Sequence, residues 1–403
     1  MNSTPRSNRV HIGIFGKTNA GKSSLINSVT GQNIALVSDV KGTTTDPVYK
    51  AMELLPIGPV VFIDTAGIDD ESSLGALRIE KTEEILDKLD LAILVISSEN
   101  ILNGDISLEK KWVEKIQNRK KPIVFVINKT DLIENREEFE RKIDLAEKEL
   151  NLKSIQVSAE KRENIDNLKK EIVEKTPKSF MEDILIGDKI KRGDKILLVA
   201  PQDIQAPKGR LILPQVQVLR DILDFGGIPT MVTLENLQEA LKIFKPDLVI
   251  TDSQVFKQVD QVLNSDIPLT SFSIIMARAK GDLIKLYEGA KKIDELKGGD
   301  KVLIAEACTH HQLKGDIARE KIPLLLKKRV PGLIIENCSG KDYPKNLEEY
   351  SLVIHCGSCM LNRSETMSRI DKALSSKVEI TNFGMAIAKL NGILDRVMEI
   401  FKN

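Results

Sequence analysis

Four short polar motifs, three of them directly after an apolar run, constrain this chain more than any other feature. Gly16-Lys17-Thr18-Asn19-Ala20-Gly21-Lys22-Ser23 follows the run 10–15. Asp64-Thr65-Ala66-Gly67 follows 60–63, and Asn128-Lys129-Thr130-Asp131 closes 123–127. Ser158-Ala159-Glu160 completes the set. Apolar runs of four to eight residues, each leading through a turn to an amphipathic segment, are the pattern of buried parallel strands with crossover helices. The spacing therefore predicts an α/β fold with strands at 10–15, 60–63, 91–96 and 123–127 and with polar loops at their carboxyl ends.

The eight residues from Gly16 to Ser23 fit the phosphate-binding loop pattern between a strand and a helix. Gly16, Ala20, Gly21 and Ser24 let backbone N–H groups wrap phosphates, and the following helix start favours the anion. Lys22 is expected to reach the β and γ phosphates, Ser23 to bind magnesium, and Asp64 to stand beside that ion. Gly67 offers an N–H to the γ-phosphate. Asp131 can accept from N1–H and the exocyclic amine of guanine, a pair that adenine lacks. Asn128, Lys129, Ser158 and Ala159 complete the base pocket, so GTP is the expected nucleotide. Position 68 is Ile, where many switch GTPases carry a water-orienting Gln.

Lys41-Gly42-Thr43-Thr44-Thr45-Asp46 resembles the switch segment of translation-factor-like GTPases that modify tRNA or assemble ribosomes. That resemblance implies Thr44 as a magnesium ligand and makes Lys22, Thr44 and Gly67 the catalytic set. Asn19 stands where related potassium-dependent GTPases place a ligand to a monovalent cation, which implies potassium.

Composition separates the remaining options. Lys+Arg and Asp+Glu are equal at 59 each, so there is no basic surplus to hold nucleic acid. No apolar run approaches the roughly 20 residues that span a bilayer, and the first eight residues are polar. A cytoplasmic protein without a membrane or nucleic-acid partner is expected. All four cysteines and three of the four histidines lie after residue 300. Such crowding in a chain of this kind points to metal rather than to a disulfide framework.

After 174 the style changes. The stretch from Thr176-Pro177-Lys178-Ser179 to Asp194 reads as a linker. A second α/β series follows, with strands at 195–199, 230–233, 248–251 and 269–273. Its first helix is expected from Pro214 to the Gly226-Gly227 break. A helix at 283–296 and Gly298-Gly299 lead to a third series with strands at 301–306, 332–336 and 352–355. Each of these last strands stops just before Cys308, Cys338 or Cys356, so the cysteines are expected to converge at one sheet edge. There is no solenoid-period repeat.

Cys308-Thr309-His310, then 44 residues, then His355-Cys356-Gly357-Ser358-Cys359, supplies up to five soft or borderline ligands. Thiolates suit zinc, copper(I) or an iron–sulfur cluster, and spacing alone separates none of them. Cys338 reads as structural, His311 as an exposed neighbour, and His11 as unrelated to metal.

Cys308-x-His310 and His355-Cys356-x-x-Cys359, behind a GTPase and a middle α/β segment, resemble the maturation GTPases of iron-only hydrogenases, the HydF family. So does Ala206-Pro207-Lys208-Gly209-Arg210-Leu211-Ile212-Leu213-Pro214-Gln215, and the likeness runs from about residue 8 to the end. It implies three domains: GTP-binding at 8–175, α/β dimerisation at 190–278 and cluster-binding at 280–403. It further implies a 4Fe–4S cluster on Cys308, Cys356 and Cys359, with Glu306, His310 or His355 as candidate fourth ligand. The implied role is a scaffold that accepts a diiron subcluster precursor and delivers it to apo-hydrogenase. Radical-SAM maturation enzymes and a second copy of the chain are the other implied partners. A zinc-containing GTPase and an RNA-modifying or ribosome-assembly GTPase are the alternatives.

Overall fold

The computed structural model describes residues 5–31, 48–65, 67–69, 75–177, 184–202, 211–307, 316–340, 342–344 and 346–402. It divides into two compact units, Met1–Glu182 and Asp183–Asn403. Among the described residues no helix is long and apolar enough to cross a membrane.

The first unit is built on one six-stranded sheet. Its strands are β1 (Val10–Phe15), β2 (Val48–Leu54), β3 (Gly58–Asp64), β4 (Leu91–Ser97), β5 (Ile123–Asn128) and β6 (Ser154–Gln156). They lie in the order β2-β3-β1-β4-β5-β6, parallel throughout except for the β2–β3 pair. Every residue of β1, β4 and β5 is buried, as expected when helices cover both faces. One face packs Ile12, Ile14, Val60 and Phe62 against Leu25 and Ile26 of the helix Lys22–Thr30. The other packs Phe15, Ile63, Leu94 and Phe125 against Leu86, Trp112 and Phe139. Strand order reverses between β1 and β4, and such a switch point opens a crevice at the carboxyl ends of the strands.

β2 and β6 escape an apolar-run criterion for a physical reason. β2 is an edge strand with alternating burial, and its inward position 50 is a lysine. β6 has only three residues, all half-buried.

The second unit holds two four-stranded parallel sheets. One contains β7 (Lys195–Val199), β8 (Ile228–Val232), β9 (Leu248–Thr251) and β10 (Leu269–Ser271), in the order β10-β9-β7-β8. The other contains β11 (Lys301–Glu306), β12 (Ile334–Ser339), β13 (Leu352–His355) and β14 (Glu379–Asn382), in the order β12-β11-β13-β14. Read from opposite ends, these orders are the same.

The registers agree as well. Lys195 is opposite Ile228 as Lys301 is opposite Ile334, and Val199 opposite Thr251 as Ala305 is opposite His355. Before each first strand, Asp194 and Asp300 accept the same backbone bond, from Lys191 N and Lys297 N. After each last strand a side-chain cap, Ser271 or Asn382, starts the helix Phe272–Lys280 or Phe383–Leu390. The second unit is thus an internal duplication. Its equivalent helices meet where a Cβ on Gly384 would lie 1.9 Å from Ser273 Oγ. Only glycine permits that approach.

Three sequence-based expectations need correction. The segment read as a linker to Asp194 is already folded at 185–186: Leu185 and Ile186 are buried against Ile196, Leu198 and Ile222. The amides of Ile186 and Gly187 both donate to Asp221 Oδ2 at 2.8 Å. The helix expected at 283–296 ends earlier, as Leu283–Lys291 followed by a 3-10 turn. Cys338 lies within β12, not beyond it, paired with Ala305. The Pro331-Gly332 turn delays that strand by two residues, and the cysteine faces the core.

Candidate functional site

In the first unit the motif residues gather at the carboxyl edge of the sheet. The loop 16–21 leaves β1, Asp64 ends β3, Asn128 ends β5, and Ser158 and Ala159 follow β6. Ser23 Oγ donates to Asp64 Oδ2 at 2.7 Å, so the two oxygen ligands expected for magnesium already stand together. Lys22 is buried, its Nζ donating to the carbonyls of Gly16 and Lys17 at 2.9 Å each. Burial lowers its pKa, and the charges of Asp64 and Asp69 work in the opposite direction.

Asn128 ties the edge together. Its Nδ2 donates to Ala20 O at 3.1 Å, and its Oδ1 accepts from Ala159 N at 3.0 Å. One amide thus fixes the phosphate loop against the base-pocket loop. Gly21 is required beneath it: its φ is 85° and an added Cβ would lie 2.2 Å from Asn128 Nδ2. Asp131 accepts from Ser158 Oγ at 2.6 Å. Lys129 has a left-handed backbone, φ 65°, and its carbonyl accepts from Ser98 Oγ at 2.8 Å.

Sequence reasoning missed Asp69. Its Oδ1 accepts from Thr18 N at 2.7 Å and Thr18 Oγ1 at 2.8 Å, joining the phosphate loop to the loop after β3. An acid two residues beyond Gly67 was the only available signal. Ile68 is 3% exposed and belongs to the core, so its side chain faces no substrate. Asn19 is exposed, with φ 63°. Ser24 lies in the first turn of the helix Lys22–Thr30. Thr44 lies outside the described residues.

In the second unit the strand order of the last sheet reverses between β11 and β13. Their carboxyl ends therefore border the crevice where open α/β sheets bind ligands. Glu306 and Ala307 end one side, and Cys356 begins the other. Ala307 N donates to Cys356 Sγ at 3.1 Å, and Cys356 N donates to Ala305 O at 2.8 Å. Cys356 and Cys359 are half-exposed, whereas Cys338 is buried and its thiol is pushed up to about 11 by burial. Cys308 and His310 lie outside the described residues. Among the described residues no group of three or more His, Cys, Asp or Glu forms a metal-binding cluster.

His355 is held on both sides. Its Nδ1–H donates to Cys356 O at 2.9 Å, and its Nε2 accepts from Arg369 at 3.0 Å. Burial first, then the guanidinium, pushes its pKa down to about 4. A ring whose Nε2 lone pair is taken by a guanidinium has none to offer iron. In this arrangement His355 therefore departs from the expectation of a fourth ligand. Glu306, 5% exposed, faces Arg319 at 3.5 Å.

Comparison with known proteins follows the same division. The model of the 50S ribosome-binding GTPase family matches residues 11–129. The Hydrogen maturase F dimerization domain matches 185–281, and the Hydrogen maturase F tetramerization domain matches 284–400. GTPase Der of Nautilia profundicola is 37% identical over 172 residues, 41% of this chain and 36% of that protein. The tRNA modification GTPase MnmE of Bacteroides thetaiotaomicron is 34% identical over 171 residues, with the same two shares. GTPase Era of Clostridioides difficile is 34% identical over 45% of this chain and 61% of its own length. The chain thus spans 36% of the first two relatives. Among solved structures, an Era variant of Aquifex aeolicus bound to GDP.AlF4- is similar at a TM-score of 0.38 and 20% identity, over 62% of this chain and 97% of that one. The structure of NFeoB from S. thermophilus bound to GDP.AlF4- and K+ is similar at 0.33 and 18%, over 45% and 74%.

Proposed function

This chain belongs to the hydrogen maturase F family, and from that premise we propose that it is a GTP-hydrolysing scaffold for assembling the metal centre of iron-only hydrogenases. In this reading it holds a 4Fe–4S cluster, takes up a diiron subcluster precursor as cargo and delivers it to apo-hydrogenase. Radical-SAM maturation enzymes supply the precursor. The division of labour is nucleotide handling at 8–175, self-association at 190–278 and cluster binding at 280–403.

One observation carries the metal half. Cys356 and Cys359 stand at the switch point of the last sheet, and an N–H of the chain entering Cys308 is aimed at Cys356 Sγ. An N–H donor favours the thiolate over the thiol, and thiolate is the form that binds iron. The donor set thus fits a cluster held by Cys308, Cys356 and Cys359. Such a cluster would supply an iron position with a replaceable ligand and one-electron redox chemistry. Glu306 and His310 are the remaining candidates for that ligand, and Glu306 stands two residues before Cys308.

For the nucleotide, Ser23 and Asp64 fit magnesium, with Thr44 assigned to the same ion. Lys22 neutralises phosphate charge, and the Gly67 N–H faces the γ-phosphate. Asn128, Asp131, Ser158 and Ala159 read guanine. Because Ile68 is committed to the core, charge stabilisation has to come from elsewhere. A potassium ion on Asn19 would supply it in the way an arginine finger does.

Self-association is supported by the names of the two matched domains and by the edge strand β8. Ile228 on β8 and the neighbouring Val216, Leu223 and Phe225 are all exposed apolar residues. An edge of this kind pairs readily with a second copy.

The test is transfer. Iron-loaded protein, charged with the diiron precursor by radical-SAM maturation enzymes and then incubated with purified apo iron-only hydrogenase, GTP and a reductant, is expected to generate hydrogen evolution. Cys356→Ser and Cys359→Ser are expected to abolish it while GTP turnover stays within about twofold, since the sites lie in separate units. Activation by both variants at the parent level would refute the proposal.

A further inference from the structure

The helix Phe272–Lys280 belongs to the first copy of the duplication, yet its last residue serves the second. Lys280 is 7% exposed. Its Nζ donates to Leu361 O at 2.9 Å, to Ser358 O at 3.3 Å and to Cys359 O at 3.3 Å. These three carbonyls belong to the loop that carries Cys359. Ser358 also has a left-handed backbone, φ 55°. That conformation costs a non-glycine residue on the order of 1 kcal/mol and persists only where surrounding contacts enforce it.

The duplication shows which part of this arrangement is general. Arg278 forms a bidentate pair with Asp188, at 2.7 and 2.6 Å, just before its own first strand. At the equivalent position in the second copy, Lys389 pairs with Asp294, again just before the first strand. That ion pair therefore serves the fold in both copies. Two residues on, the copies diverge. Asn391 is the C-cap of its helix, whereas the equivalent Lys280 reaches across to the cysteine loop. Beneath the loop lies a cavity of about 20 Å³, lined by Met276, Lys280, His355, Ser358, Arg369 and Asn382. A single water fills such a volume, so the loop and the ammonium are closely packed.

We propose that Lys280 is the positioning residue of the cysteine loop. Its ammonium fixes the turn 358–361, so that Cys356 and Cys359 are presented together to one metal cluster. Cluster retention is thereby coupled to the first copy of the duplication. The inference deepens the cluster-binding reading and rests on it for the identity of the ligand, but loop order is measurable without any metal.

Lys280→Met keeps the stem and removes the charge. In the iron-free full chain, amide hydrogen exchange at Cys356 and Leu361 is expected to accelerate at least about tenfold, the effect of losing charge-assisted bonds to three carbonyls. Exchange in the strands of both sheets and GTP turnover are expected to stay at the parent level. In the iron-loaded chain, loss of iron to a chelator is expected to accelerate by a similar factor. Lys280→Arg, which keeps the cation, is expected to restore both values to within severalfold of the parent. Where the Met variant does not fold, Lys280→Gln, which keeps a donor without the charge, carries the test. Parent-like loop exchange in either folded variant overturns the proposal, whatever the iron content. Faster loop exchange in a chain whose parent holds no iron upholds the positioning role and instead removes the cluster reading.

Discussion

Cys338 lies on β12 and Cys356 just beyond β13, two strands of one sheet with β11 between them, yet their thiols meet different physics. Cys338 points into the core, and burial pushes it up to about 11. Cys356 lies just beyond its strand, half-exposed, with an N–H on its sulfur. In iron-free protein at pH 8, alkylation is therefore expected at Cys356 and Cys359 well before Cys338, as peptide mass mapping would record. The neutral thiol of Cys338 is the buried form. Its contribution to stability is complete below the unfolded pKa of about 8.5 and is lost as pH rises toward 11. Relative to Cys338→Ser, the parent is expected to lose on the order of 2 kcal/mol over that range, measured by denaturant unfolding. Iron content of Cys338→Ser is expected to match the parent; depletion would add Cys338 to the ligand list. Asn19 carries a second prediction. GTP hydrolysis is expected to be faster in potassium than in sodium at equal ionic strength, with most of the difference lost in Asn19→Ala. Equal rates in the two salts would remove the cation from the mechanism.

At the scale of elements, the phosphate loop is positioned by ties that lie outside the motifs. Asp69 accepts two bonds from Thr18. Asp69→Ala would leave both donors without that partner, and GTP affinity is expected to fall about tenfold, equivalent to one or two such bonds. Titration with a fluorescent GTP analogue measures it, and unchanged affinity would mean that water replaces the carboxylate without cost. Three of the four motifs were legible because each follows a buried strand whose apolar run announces it; Ser158-Ala159-Glu160 follows the short, half-buried β6. Asp69 was not, because its role depends on two loops meeting in space. The β12 boundary failed for a related reason. Gly332 has φ 87° and Pro331 precedes it, and that turn displaces the strand start to Ile334, which carries Cys338 into the sheet.

At the scale of the whole molecule, the alternation of strands and helices was readable from end to end, but the duplication was not. Lys195–Val199 and Lys301–Glu306 share a leading lysine and an apolar run, a likeness too short to stand out without the matching register. The two copies meet at Gly384 and Ser273 within one unit. Gly384→Ala would force a methyl group against Ser273 Oγ, with an expected cost of roughly 1–3 kcal/mol to the second unit. Differential scanning calorimetry is expected to show the transition of that unit shifted and the GTPase transition in place. The relatives Der of Nautilia profundicola, MnmE of Bacteroides thetaiotaomicron and Era of Clostridioides difficile each match less than half of the chain. Both hydrogen maturase F matches lie in the duplicated unit. The central claim is that this unit presents Cys308, Cys356 and Cys359 to an iron–sulfur cluster. Its most direct test is metal and acid-labile sulfide analysis of the chain purified without oxygen. The expected result is brown protein with roughly four iron and four sulfide per chain, reduced to near zero by Cys356→Ser. Colourless protein with one zinc per chain, or full iron content in that variant, would contradict it.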